Sequence, residues 1–317
     1  MNILAFVSKP LQYINCRNSV ESFFSSNEYV ENNVNGIKVL VILDHFKGAK
    51  SFYERVLEFD LYWDVVLYCN SRVSALIQLR KTKFNVIFSN SDISKDAILI
   101  KFFNFKSTFL LYEEGWGNYI VDALHDQGFK KKAVYKILSL NVQYGLSSLT
   151  KAVYVYFPEK VPANLVTKAI NFKFSFCEYL RLRQELFKNI FPSKSQIELV
   201  NYGGKKVAFL LPSKKWSSNF EGIELSTYDV IFLKPHPHTL DFNHDLVERN
   251  NIKVLDSSVF LELELSLVNS CLMKSFDVYH DNSMIGIYLI DTGVNIVNLG
   301  RCVDNKVLNN FFSLFDI

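Results

Sequence analysis

Short apolar runs alternate with longer amphipathic segments along almost the whole of this chain, and that rhythm leaves few folds open. Residues 3–7, 39–43, 65–68, 86–88 and 109–112 have the length and apolar content of buried strands. Between them, 11–24, 51–59, 71–81 and 94–103 have the length and periodicity of helices. A further strand is expected at 152–157, followed by Pro158 and Pro162 and then by a helix over 176–191. Near-continuous apolar strands interleaved with helices predict a parallel sheet covered on both faces. The chain turns polar and glycine-bearing over 192–206, and the alternation then restarts with strands at 207–211, 230–233, 252–255, 278–279 and 295–298. The expectation is an α/β protein of two successive Rossmann-like domains, 1–200 and 201–317, facing each other across a cleft lined by their strand ends.

At 317 residues, 49% hydrophobic and 21% charged, the chain can bury a large core in each half. A net charge of +3 and a pI near 8.4 are too small an excess to argue for a nucleic-acid partner. They are compatible with loose attraction to an anionic substrate or membrane face. Cys16, Cys69, Cys177, Cys271 and Cys302 include no CxxC pair, so neither a zinc site nor a disulfide framework is indicated and a reducing, cytoplasmic compartment is the default. Residues 1–7 enter a strand-like run at once, without a basic leader, and no apolar run approaches the ~20 residues that span a bilayer. Any membrane association is expected to be peripheral.

Two strand ends carry the chemistry. The run 109–111 leads into Tyr112-Glu113-Glu114-Gly115-Trp116-Gly117-Asn118-Tyr119, so a buried strand ends in two adjacent carboxylates and two glycines. The carboxylates face opposite sides if the strand continues, so one aims at a ligand while the other is bonded internally. The run 230–233 ends in Lys234-Pro235-His236-Pro237-His238, where two prolines hold a histidine that can meet a phosphate. In Tyr279-His280-Asp281-Asn282-Ser283, Asn282 or Ser283 can cap the helix that follows. Dinucleotide, P-loop, nucleophile-elbow and HExxH signatures are absent, as is Asp-x-Asp.

Taken together these segments resemble the bacterial sialyltransferases of GT-B architecture, the family of lipooligosaccharide and capsular sialyltransferases. Its markers are an Asp/Glu-Asp/Glu-Gly motif, a His-Pro motif and a Ser-Ser/Thr motif. Here Glu113-Glu114-Gly115, His236-Pro237 and Asn282-Ser283 occur in that order, and Lys9-Pro10-Leu11-Gln12 is similar to the Thr-Pro-Leu-Gln that follows the family's first strand. Asn282 departs from the usual serine and Lys9 from the usual threonine.

The resemblance implies an inverting, metal-independent and cofactor-free transfer of sialic acid from CMP-sialic acid to a hydroxyl of an oligosaccharide or glycolipid acceptor, galactose-terminated by expectation. Glu113 would be the general base and Glu114 its support, two roles that the sequence leaves exchangeable, while His236 would face the leaving phosphate. Lys234, Pro237, Asn282, Ser283, Pro212 and Ser213 fall on the donor side; Ser8, Gln12, Gly115, Trp116 and Asn118 fall on the acceptor side. The first domain would bind the acceptor and the second the CMP-sugar, with the final helix, 306–315, packing back on the first. Association with the cytoplasmic face of the inner membrane fits such a role. The alternatives are a polysialyltransferase, a transferase for Kdo, legionaminic or pseudaminic acid, and a non-catalytic nucleotide-binding protein of a capsule assembly complex.

Overall fold

The computed structural model describes residues 1–26, 36–93, 100, 106–122, 133, 135, 141–191, 199–212, 218–236, 243–256, 259–268, 275–281, 283–300 and 306–315. The chain divides into two compact units, Met1–Ser175 and Phe176–Ile317.

The first unit is built on β1 (Ile3–Val7), α1 (Pro10–Ser26), β2 (Lys38–Leu43), α2 (Ala49–Phe59), β3 (Val65–Cys69), α3 (Arg72–Gln78), β4 (Val86–Ser89), β5 (Thr108–Tyr112), β6 (Thr150–Val155) and β7 (Ala169–Asn171). Its seven strands are parallel in the order β3-β2-β1-β4-β5-β6-β7. All of β1 is buried, because it sits mid-sheet with chain on both faces. The strand order reverses between β1 and β4, the place where open α/β sheets leave a crevice at their carboxyl ends.

Pro10 opens α1, where its fixed φ suits the first helical position and its missing N–H costs nothing. The helix is buried along most of its length despite carrying Gln12, Asn15, Arg17, Asn18 and Ser19. Those polar groups are bonded: Asn18 Nδ2 donates to the Phe174 carbonyl at 3.0 Å, and Arg17 Nε pairs with Asp60 at 3.1 Å. Tyr13 adds a hydroxyl bond to the same Asp60 carboxylate. The helix expected at 94–103 falls, apart from Ile100, outside the described residues.

The second unit holds α4 (Phe176–Leu182), α5 (Gln184–Ile190), β8 (Val207–Leu211), β9 (Val230–Leu233), α6 (His244–Arg249), β10 (Lys253–Val254), α7 (Leu261–Ser266), β11 (Phe276–His280), α8 (Met284–Tyr288), β12 (Asn295–Asn298) and α9 (Lys306–Ser313). Its five parallel strands run β10-β9-β8-β11-β12, so the first five positions of the other sheet recur. The boundary lies at Ser175 and not at the polar stretch after 192, because α4 packs on second-unit elements. Arg181 Nε donates to the Ser266 carbonyl at 2.5 Å, and Phe176 stacks on Tyr288 with ring centroids 4.4 Å apart. The segment 176–191 is two helices, since the backbone leaves helical geometry at Arg183.

Cys16, Cys69 and Cys177 are buried free thiols. Burial pushes the Cys177 thiol up to about 12 and the Cys16 thiol further still. Among the described residues no helix is long and apolar enough to cross a membrane.

His280, at the end of β11, has no exposed surface, and its Nδ1 accepts the Ser283 N–H at 3.1 Å. The proton of the neutral ring therefore sits on Nε2. A Cβ on Gly286 would lie 2.4 Å from that nitrogen, and Phe312 of α9 packs on the ring at 5.7 Å between centroids. Burial pulls the His280 pKa from 6.5 down to about 4. Between those values the unfolded chain binds the extra proton, so stability present above pH 6.5 is lost as the pH falls toward 4, by up to about 3 kcal/mol. The stability difference between wild type and His280→Gln, measured by urea unfolding, should narrow steadily from pH 7 to pH 4.5.

Candidate active site

The carboxyl edge of the first sheet, around β1, β4 and β5, gathers Ser8, Lys9, Asn90, Glu113 and Glu114. Glu113 immediately follows β5 and is fully buried. Its Oε2 accepts the Tyr156 N–H at 3.0 Å and the Tyr119 hydroxyl, while its own N–H donates to the Tyr154 carbonyl at 2.9 Å. Its carbonyl in turn accepts Asn15 Nδ2 at 2.9 Å. Of the two carboxylates whose roles the sequence leaves exchangeable, Glu113 is therefore the one bonded internally, with no exposed surface to offer an acceptor sugar.

Glu114, pointing the other way, lines a recess of about 210 Å³ together with Lys9, Trp116, Gly117 and Tyr144. Gln12 Nε2 donates to Glu114 Oε1 at 3.0 Å. The Gln12 amide is itself oriented, because its Oε1 accepts both the Ser8 N–H at 2.9 Å and the Ser8 hydroxyl at 2.8 Å. That is the structural content of the Ser8-to-Gln12 segment: the strand end fixes an amide in the first turn of α1, and the amide fixes a carboxylate on another strand. Burial pushes the Glu114 pKa above the usual carboxylate value, opposed by the Lys9 charge, by hydrogen bonds from Asn90 and Gln12 and by Arg72. A carboxylate of raised basicity open to a recess can take a proton from a hydroxyl.

The glycines have distinct tasks. Gly115 adopts φ 127° and ψ −150°, a region that essentially only glycine occupies, and this turns the chain after Glu114. A Cβ on Gly117 would meet Tyr144 Cε2 at 2.6 Å, so the tyrosine ring lies directly on backbone. Asn118 is fully buried and its Oδ1 accepts the Glu114 N–H at 2.9 Å. It braces the loop from inside and does not face an acceptor, contrary to the sequence expectation. Trp116, by contrast, lines the recess.

Tyr144, Asn90 and Arg72 were not singled out from the sequence. Asn90 falls in the polar run Ser89-Asn90-Ser91-Asp92 that ends β4, a signal of the same kind as the acidic strand end. Tyr144 carries no local signal. It is placed by Asp92, whose carboxylate accepts the N–H groups of Gly145 and Ser147 and the Thr150 hydroxyl, at 3.0, 3.2 and 2.7 Å.

In the second unit, Leu211 and His280 are paired neighbours, so Pro212 and Asp281 leave the sheet side by side where its strand order reverses. Pro212 is buried, while Lys234 and His236 are half-buried after β9. The Lys234 charge is met by Glu262 of α7, whose pKa burial pushes up and Lys234 draws back. The Ser283 hydroxyl caps α8 by accepting the Ile285 N–H at 3.4 Å. Ser213, Pro237 and Asn282 lie outside the described residues. Among the described residues there is no group of three or more His, Cys, Asp or Glu placed to hold a metal ion.

The fold and the two sheet edges define an α/β protein with a carboxylate-bearing recess at a strand-order reversal. No protein-family model matches the chain, and neither does any curated protein. Among solved structures it is similar to S. aureus MnaA determined with UDP, at 10% identity and a TM-score of 0.48 over 94% of this chain and 79% of that one. It is also similar to a variant of the wall teichoic acid polymerase TagF, at 13% identity and a TM-score of 0.42 over 96% and 89% of the two chains. A structure of the TagF variant soaked with CDPG gives 12% identity and a TM-score of 0.39 over 96% and 88%.

Replacing Gly115 by alanine should cost about 1–3 kcal/mol in urea unfolding, because the backbone there is closed to a residue with a Cβ.

Proposed function

We propose that this protein is a glycosyltransferase, and specifically an inverting sialyltransferase in which Glu114 is the general base. The observation that carries the reading is the placement of Glu114: it lies at a strand end, in a recess, with raised basicity, and is held by the amide of the Lys-Pro-Leu-Gln segment. The order of the acidic, His-Pro and Asn-Ser motifs supports the donor as CMP-sialic acid. At about 210 Å³ the recess is smaller than the ~300–1,000 Å³ of sites that engulf a drug-sized ligand, and suits one sugar unit rather than a whole nucleotide sugar. Trp116 and Tyr144 line the recess with aromatic side chains, the kind that pack on the apolar side of a sugar ring, and Lys9 lines it too.

Glu114 takes the proton of the acceptor hydroxyl as its oxygen attacks the anomeric carbon of the donor. The bond from that carbon to the CMP phosphate oxygen breaks, and the phosphate leaves with the electron pair. We assign the nucleotide to the carboxyl edge of the second sheet. There Lys234 supplies positive charge and His236 a hydrogen-bonding imidazole for the leaving phosphate, with Pro212 and Ser283 on the same sheet edge; Ser213, Pro237 and Asn282, the other expected donor residues, fall outside the described residues. Glu113 belongs to the scaffold of the base.

The test is release of CMP from CMP-sialic acid, with and without galactose-terminated acceptors, in EDTA throughout. Acceptor-stimulated release is the expected result; no release with CMP still bound would turn the search to other CMP-sugars and then to a binding protein without turnover. Glu114→Gln should lower kcat by about 10²- to 10⁴-fold with CMP affinity unchanged. Glu113→Gln should instead lower stability by about 1–3 kcal/mol in urea unfolding, since a buried acceptor of two hydrogen bonds is altered. Because the base must be ionised and its pKa is raised, kcat/KM should fall toward acid with a limb lying above pH 4.5.

A further inference from the structure

The recess that holds Glu114 carries a charge of each sign. Lys9 and Glu114 line it with Trp116, Gly117 and Tyr144, and Tyr144 stays a neutral phenol because burial pushes its pKa up. Lys9 sits exposed in the turn between β1 and α1, while Glu114 is half-buried just past β5. The two share one recess yet form no ion pair, and among the described residues Lys9 has no carboxylate partner. Its charge is nevertheless felt by Glu114, where it is the largest influence set against burial.

The other charged groups near the recess are engaged inside the protein. Arg72, 8% exposed, donates from Nη2 to Asn90 Oδ1 at 2.5 Å. Asp92, 5% exposed, accepts from the Gly145 and Ser147 N–H groups and from the Thr150 hydroxyl. Lys9 alone of these offers an exposed charge to an incoming ligand. A lysine that merely neutralised Glu114 would sit against it at ion-pair distance, and Lys9 does not. A recess with Glu114 as its one charge would repel an acidic sugar; with Lys9 beside it, an acid group has a partner.

We propose that the recess takes an acceptor sugar bearing a carboxylate, which meets Lys9 while a hydroxyl of the same sugar reaches Glu114; this rests on the reading of Glu114 as the base. A charge-assisted bond from an ammonium to a carboxylate is roughly twice as strong as a bond between neutral groups, so the acid group fixes the ring more firmly than a hydroxymethyl in its place. The single charge of Lys9 matches a monoanion. A phosphate ester, at about −1.5 to −2, would leave an excess of negative charge beside Glu114. At about 210 Å³ the recess accommodates one such unit, with Trp116 and Tyr144 lining it for the apolar part of the ring.

The decisive measurement is binding, by NMR titration in the presence of CMP, of methyl galactosiduronate against methyl galactoside, two sugars that differ only by a carboxylate or a hydroxymethyl at C6. Wild type should bind the acid about five- to tenfold more tightly. Lys9→Gln should bring that ratio close to one, and Lys9→Arg, which keeps the charge, should retain most of it. Added salt should shrink the preference, as for any exposed ion pair. Oligosaccharides ending in the same two sugars should follow the same order in kcat/KM when turnover is read as CMP release. Equal or tighter binding of the galactoside by wild type, or a preference unaltered in Lys9→Gln, overturns the proposal. Tighter binding of galactose 6-phosphate than of the uronate overturns the carboxylate. A loss of CMP-sialic acid affinity in Lys9→Gln with the acceptor ratio unmoved gives Lys9 to the donor instead. Unimpaired turnover in Glu114→Gln would overturn the assignment of the base, and the binding ratio would still read Lys9.

Discussion

A carboxylate shut away from water organises the first unit. Glu113 joins the ends of β5 and β6, the turn that carries Tyr119 and the first helix, by bonds to Tyr156, Tyr119, Tyr154 and Asn15. A buried carboxylate is costly unless donors meet it, and here two converge on Oε2. Each donor that satisfies it is therefore also a strut. With the strand locked there, alternation sends the next side chain to the opposite face, and Gly115 turns the chain before a third residue can follow. Glu114 reaches the recess because Glu113 cannot.

The polar interior of α1 extends the same logic. A helix with asparagines, an arginine and a glutamine on buried faces is costly unless each finds a partner, and here they bond to the Glu113 carbonyl, the Phe174 carbonyl, Asp60 and Glu114. Hydrophobic packing would hold such a helix against the sheet without fixing its rotation. The bonds set its register against β5 to within a hydrogen-bond length, which placing an amide beside a carboxylate demands.

Much of the architecture was legible because buried parallel strands write themselves as apolar runs: 3–7, 207–211, 230–233 and 295–298 are strands over those bounds. Ala169–Asn171 was not, since an edge strand with Ile170 41% exposed needs no apolar pattern. Nor was the break at Arg183, where apolar periodicity continues across a change in backbone direction. The chemistry was half legible. The acidic pair stood out, but which member is enclosed depends on Tyr119 and Tyr156, tyrosines whose bonding partners no local pattern reveals. Arg72 and Asn90, eighteen residues apart, meet only because β3 and β4 flank β2 and β1 in the same sheet. Contacts made by strand order leave no trace in local sequence.

The enclosed thiols have a use beyond packing. Cys16 lies in the first unit and Cys177 in the second, and each is held in its thiol form by burial. A thiol that cannot ionise does not react with an alkylating reagent until its surroundings open. Cys16 and Cys177, followed separately from Cys69, are thus built-in clocks for the two units, and their labelling rates tell whether the two halves of the chain loosen together or one before the other.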